Sequence, residues 1–204
     1  MKVPSFLISL GILAIVALGC SKFQEQVKKA AEPAVKPYVS QADGFSISFP
    51  AGSEEPSSTD DTGAYSDNKV QIYSTVKDSI GYRVKAITIG GYSDGFIKKM
   101  TVKDINDTVS DITMPWKDNG TLDVPGLPED AEQKEVTFKG FPAIEASGYS
   151  NELTALGNMF KRQVLVWVAD KKKAYDIEVF SKKKDDLMAK PVNDFFNSFE
   201  VSKE

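Results

Sequence analysis

Residues 160–169, Phe-Lys-Arg-Gln-Val-Leu-Val-Trp-Val-Ala, decide the fold. Val164, Val166 and Val168 alternate onto one side of an extended chain, and Leu165 and Trp167 fall on the other. A strand that is apolar on both sides needs cover on both sides, which places it inside a sheet. Downstream, residues 170–173 make a polar turn, and Tyr175, Ile177 and Val179 alternate in the next strand. Upstream, Lys139 and Gly140 form a two-residue turn between residues 135–138 and 141–146, which reads as a hairpin.

Further upstream, Phe45, Ile47 and Phe49 alternate in a half-buried strand that Pro50 ends. Val70, Ile72, Ser74 and Val76 alternate in a second strand, and residues 82–89 (YRVKAITI) form a third. The period then changes. Ile105, Val109 and Ile112 follow helical spacing, and Thr101 with Asp104 resembles a capping box with Asp in place of Glu. Pro115 stops that helix, and residues 115–131 form a long loop. Residues 185–199 read as a second helix, interrupted at Pro191, with Phe195, Phe196 and Phe199 as its apolar contacts. Short turns between neighbouring strands predict a largely antiparallel sheet. With helices covering a doubly buried strand, the expectation is an α+β fold, a three-layer α/β/α sandwich around that central sheet.

The N-terminus carries a different signal. Lys2 precedes a mostly apolar run over residues 3–18, too short for the roughly 20 residues of a spanning helix. A positive start, an apolar stretch and small residues at its end make a secretory signal peptide. Ala17-Leu18-Gly19-Cys20 resembles the lipobox of bacterial lipoproteins, with Ala17 where Leu is usual. That resemblance implies cleavage before Cys20 and a diacylglyceryl group on its thiol, together with an acylated amine. Two or three chains, at roughly 0.8 kcal/mol per buried CH₂, hold a protein on a membrane where one does not. The alternative is an ordinary signal peptide or a short membrane helix with a buried Cys. Ser21, rather than Asp, follows the Cys, which by enterobacterial sorting rules implies the outer membrane, facing the periplasm, in a Gram-negative cell.

Cleavage takes the length from 204 to 185 and, with Lys2 lost, the net charge from −4 to −5. The division is residues 1–19 as signal peptide, 20–42 as lipidated N-terminus and tether, and 43–204 as globular domain. Pro33 and Pro37 favour an extended tether. Its Lys22, Lys28, Lys29 and Lys36, offset by Glu25 and Glu32, make a poor polybasic patch.

Four strings have a familiar look: GFSISFP at 44–50, KGFPAIEASGY at 139–149, VLVWVADKKKAYDIEVFS at 164–181 and NDFFNSFEV at 193–201. Together they resemble the PsbP-like family, over roughly residues 43–201. Members often carry Trp shortly after the first strand's Pro, where this chain has Ser53. The resemblance implies a central antiparallel sheet with helices on both sides, and many bacterial members are lipoproteins. One branch comprises lumen-facing extrinsic subunits of photosystem II that help retain calcium and chloride; another binds a small GTPase. A non-catalytic scaffold that docks on a protein partner is the shared implication.

Composition narrows the chemistry. There is no His and one Cys among 204 residues. A Ser-His-Asp triad, a Cys-His pair, a His-based metal site and an internal disulfide are all excluded. A mildly acidic chain argues against nucleic acid as a partner. Ser181 with Lys184 and Ser74 with Lys77 match a Ser-x-x-Lys acylation pattern, but its companion motifs are missing. The stretch from Asp118 to Asp123 faintly resembles a calcium loop and more simply reads as an Asn-Gly turn. Glu54, Glu55, Asp60 and Asp61 form an acidic loop read as solvated. Asp104, Asp107 and Asp111 are a solvated helix face or, in the alternative, acid/base groups of a carboxylate-dependent hydrolase. Lys171, Lys172 and Lys173 fall at one end of a strand and Lys182, Lys183 and Lys184 at the other, reading as two separate solvated tips. Trp116, beside Pro115, is the possible partner contact, or else a satellite core residue.

The sequence therefore points to a membrane-anchored, extracytoplasmic lipoprotein acting as a non-catalytic binding or assembly module. Cys20 is its lipidation site. No catalytic residue, metal or cofactor is expected. A photosystem II-associated subunit, should the organism be a phototroph, and a carboxylate-dependent hydrolase are the alternatives.

Overall fold

Alternation and turn chemistry build most of the chain into strands. The computed structural model describes residues 35–60, 67–112, 132–150 and 159–203. Cys20, Trp116, Asp61 and the stretch from Asp118 to Asp123 lie outside the described residues. Lys36–Glu204 is one compact unit, separate from Met1–Val35. In chain order its elements are β1 (Tyr38–Ser40), β2 (Phe45–Ile47), β3 (Ser57–Asp60), β4 (Lys69–Lys77), β5 (Ile80–Thr88), α1 (Asp94–Ile97) and α2 (Val102–Ile112). They continue as β6 (Glu132–Phe138), β7 (Phe141–Ser150), β8 (Met159–Val168), β9 (Lys173–Ser181), α3 (Lys190–Asn197) and β10 (Glu200–Val201).

Seven strands form one antiparallel sheet in the order β3-β4-β5-β9-β8-β7-β6, and three form a second in the order β1-β2-β10. Two-residue turns set the register of the hairpins. Lys139 and Gly140 both have positive φ (52° and 86°), as do Asp78 and Ser79 (53° and 64°), the geometry whose twist matches antiparallel strands. The β5–β9 pairing joins Val84 to Ile177 across the middle of the sheet. Gly90, just after β5, is required by close approach: a Cβ there would sit 2.1 Å from the Asp67 carbonyl oxygen. Its N–H donates to Asn68 Oδ1 at 2.9 Å.

Both faces of the large sheet are covered, by different means. On one face Val84, Ile177, Val164 and Tyr175 pack against Phe45 and Ile47 of β2 and Val192, Phe195 and Phe196 of α3. Aromatic contacts knit this layer: Phe45 meets Tyr73 at 5.3 Å and Tyr82 meets Phe195 at 5.2 Å between ring centroids. On the other face Ile87, Leu165, Trp167 and Ala174 pack against Ile97 of α1 and Val102 and Ile105 of α2.

The expected α/β/α sandwich is thus overturned. Strands make up 49% of the structure, and its helices are short. The reason is visible in two segments. Phe45 and Ile47 belong to the small sheet and Phe49 follows it, so a three-stranded sheet joins α3 in closing that face in place of a helical layer. Residues 185–199 do not hold one interrupted helix: a 3-10 turn, Lys184–Met188, precedes eight residues of α3, and Pro191 stands in the first turn of α3, where its missing N–H costs nothing.

Candidate functional site

The most concentrated ionic chemistry among the described residues lies inside the large sheet. Arg83 and Lys85 come from β5, Asp176 and Glu178 from β9, and Lys161 and Gln163 from β8. Strand register sets Arg83 opposite Glu178, Lys85 opposite Asp176, and Gln163 opposite Glu178. Alternation then puts all six on the face that carries α1 and α2. Lys161 and Glu178 are 0% exposed, Asp176 1% and Lys85 2%. Lys85 Nζ lies 3.4 Å from Asp176 Oδ2 and 3.3 Å from Glu178 Oε1. Arg83 Nε and Lys161 Nζ both pair with Glu178. The Arg83 guanidinium also stands 4.6 Å from the centroid of the Phe180 ring, a cation–π contact that fixes its plane.

Three cations thus face two carboxylates, and the carboxylates respond in opposite directions. Burial, reinforced by the charge of Glu178, pushes the Asp176 carboxyl up to about 6. Burial would raise Glu178 as well, but Arg83, Lys161 and Lys85 together hold it well below the usual carboxylate range. Glu178 is the fixed anion and Asp176 the group that takes or releases a proton. Asp176 Oδ1 and Gln163 Oε1 have no hydrogen-bond partner among the described residues. Chemically the cluster can store a proton and fix strand register. At 1% exposure, Asp176 meets no substrate from where it stands.

A second polar group joins the two sheets. Asp43 sits in the β1–β2 turn beside Gly44, whose φ of +70° requires glycine-like freedom. Its carboxylate accepts from Tyr73 Oη and, at 3.4 Å, from both Ser40 Oγ and Lys173 Nζ. Its backbone carbonyl accepts from Tyr175 Oη at 2.7 Å. Burial, then the Asp43 carboxylate, pushes the Tyr73 hydroxyl up to about 12, so it stays a donor.

Among the described residues the candidates read from sequence are scattered, and several are engaged in the fold. Asp104 caps α2: it accepts from Thr101 N at 2.8 Å and Thr101 Oγ1 at 2.7 Å, and these bonds lower its carboxyl below the ordinary range. Asp107 is exposed on the same helix. Ser181 is buried and donates to Asp186 Oδ2 at 2.5 Å, while Lys184 is exposed. Ser74 and Lys77 project to opposite faces of β4. Glu54 and Glu55 are exposed. The first lysine tip is not simply solvated, which corrects that reading. Lys171 donates to the Ser202 carbonyl, Lys172 pairs with Asp94 at 2.5 Å, and Lys173 reaches Asp43. Among the described residues no three Asp, Glu or Cys side chains converge as a metal site.

Sequence reasoning missed the buried cluster. Asp176 and Glu178 alternate with Tyr175, Ile177 and Val179 as the wet side of any half-buried strand would. One signal was available: Arg83 and Lys85 repeat the same two-residue spacing with the opposite charge, in a strand able to neighbour β9. No protein-family model matches this chain, and no curated protein matches it.

Proposed function

We propose that this chain is an extracytoplasmic lipoprotein, held on the membrane by acyl chains at Cys20, whose β domain is a non-catalytic binding or assembly module for a protein partner. In a cell with two membranes its place is the outer membrane, facing the periplasm. One observation supports the non-catalytic part: among the described residues the buried and hydrogen-bonded polar groups serve the fold. Asp176 and Glu178 are shut inside the ion cluster, Asp104 caps a helix, Ser181 is bonded to Asp186 and Asp43 holds the small sheet. A hydrolase needs a desolvated acid that also reaches substrate. The desolvated acid here is 1% exposed. The lipobox-like end of the apolar run supports the anchor, and the strings resembling the PsbP-like family support a docking role.

Labelling cells with radioactive palmitate tests the anchor. Wild type should incorporate label and fractionate with membranes; Cys20→Ala should do neither, or remain unprocessed. Unlabelled wild-type protein overturns the lipoprotein reading. Affinity capture of the native protein from detergent-solubilised membranes tests the module: a stoichiometric protein partner is expected, and recovery of the chain alone counts against it.

A further inference from the structure

We propose that Lys85 and Asp176 condense to a covalent amide inside the folded domain, with Glu178 carrying a proton between them. Register sets up the pair. Lys85 of β5 stands directly opposite Asp176 of β9, and Glu178 follows two residues on, facing the same way. Lys85 Nζ lies 3.4 Å from Asp176 Oδ2 and 3.3 Å from Glu178 Oε1. The amine nitrogen is thus held in contact with the acid it would bond to and with a second carboxylate. The place is dry. Lys85 is 2%, Asp176 1% and Glu178 0% exposed. Leu165 flanks Asp176 in the next strand, and Ile72 flanks Lys85 in the strand before. Lys103, Asp104 and Asp107 of α2, the helix over this face, are exposed to solvent.

The two carboxyls differ in the way this chemistry needs. A carboxylate anion resists attack by an amine, and a protonated carboxyl accepts it. Asp176 is the acid that takes up a proton, pushed up to about 6 by burial and by the charge of Glu178. Glu178 stays ionised beside Arg83, Lys161 and Lys85, so it holds a proton only in passing. Lys161 is paired with that anion and therefore has no electrophile of its own.

The step balances. The Lys85 ammonium gives one proton to Asp176 Oδ2, which leaves a neutral amine beside a neutral acid. The Nζ lone pair attacks the Asp176 carboxyl carbon and forms the C–N bond. Glu178 Oε1 takes a second proton from Nζ and returns it to the Oδ2 hydroxyl. The C–Oδ2 bond breaks and one water leaves. Asp176 Oδ1, which has no hydrogen-bond partner among the described residues, remains as the amide oxygen. The N–H that is left keeps Glu178 Oε1 as its acceptor. An ammonium and a carboxylate shut away from water are costly to hold, and the amide removes both charges. Arg83 and Lys161 then face Glu178 alone. A dry site also keeps out the water that would reverse the reaction. Both charges must be neutralised in one molecule before Nζ attacks, so closure follows folding and is slow beside it. A freshly folded chain holds the open pair and titrates as such.

Mass spectrometry of the full chain tests this. Wild type, folded and held at about pH 6 for several days, should end about 18 Da lighter, by one water. Trypsin should then release residues 84–98 joined to residues 174–182. Lys85→Arg keeps the charge but replaces the amine with a guanidinium that stays protonated, and should keep its full mass. Lys161→Met should still close. Glu178→Gln should close about a hundredfold more slowly, the usual effect of losing a proton carrier. Circular dichroism confirms that each variant is folded, and the wild-type peptide map decides the matter without them. Full mass in wild type, or a water lost from any other pair or from an aspartyl imide within one peptide, overturns the proposal. Equal rates in wild type and Glu178→Gln overturn the part given to Glu178. None of these results touches the anchor, which stands or falls on palmitate incorporation at Cys20.

Discussion

Lys85 Nζ lies 3.3 Å from Glu178 Oε1, although the register places Lys85 opposite Asp176. The diagonal reach matters because Glu178 is the common anion for Arg83, Lys85 and Lys161. Removing one partner of a buried pair costs more than the pair contributes, because the remaining charges lose their counter-ion without regaining water.

Glu178→Gln should therefore destabilise the fold by about 3–5 kcal/mol, read from the urea midpoint at pH 7. Lys161→Met removes one of the surplus cations and should cost clearly less. Equal costs would show that the three cations do not depend on Glu178.

Asp176 gives the pH dependence an unusual sign. Its folded value of about 6 lies above the unfolded carboxylate range near 4, so the folded state binds the extra proton. That stabilisation is complete below about pH 4 and is lost as pH rises through 6. Glu178 acts oppositely: its carboxyl is lowered on folding, so its contribution is present at neutral pH and lost on acidification below the unfolded range. Wild-type stability should fall between pH 5 and 7, and Asp176→Asn should flatten that segment. Urea titrations at half-unit pH steps check it; a wild-type curve that rises from pH 5 to 7 while Asp176→Asn is unchanged refutes it.

Asp43 should control the small sheet. Tyr73→Phe removes one donor to a partly buried carboxylate and should cost about 1–2 kcal/mol, and Asp43→Ala should cost more because Ser40, Tyr73 and Lys173 each lose one acceptor. Hydrogen exchange should quicken first at the amides of Phe45 and Ile47, before those of β8 and β9.

Two glycines make a matched pair. Gly90→Ala drives a methyl into the Asp67 carbonyl and should cost about 1–3 kcal/mol. Gly95, inside α1, has nothing within 4 Å of the added Cβ, so Gly95→Ala should be neutral or stabilise by up to about 1 kcal/mol. Thermal melts of both variants decide it.

Strands were legible where the signal is local. Val164, Val166 and Val168 against Leu165 and Trp167 describe β8 with two covered faces, and both faces are covered. Lys139-Gly140 forms the expected two-residue turn, with Gly140 suited to its positive φ, and Thr101 with Asp104 forms its cap. What covers each face was not legible, because Phe45 and Ile47 carry the same alternation whether they join the large sheet or fold over it. The ion cluster was hidden for the same reason. Whether Asp176 faces water or Lys85 depends on what lies above β9, and that is settled by tertiary packing. The lysines at 171–173 looked solvated because their acceptors, Ser202, Asp94 and Asp43, are remote in sequence.

The order β1-β2-β10 bears on timing. The strand that buries Phe45 and Ile47 lies between β1 and β10, and its Phe45 pairs with Val201, near the other end of the compact unit. β5 likewise waits for β9, nearly a hundred residues later. Each sheet is completed only when segments remote in sequence meet, so closing the core is slow relative to forming the local hairpins. The hairpins β4–β5 and β6–β7 pair neighbours in sequence and should form early, and the small sheet should lock the core last.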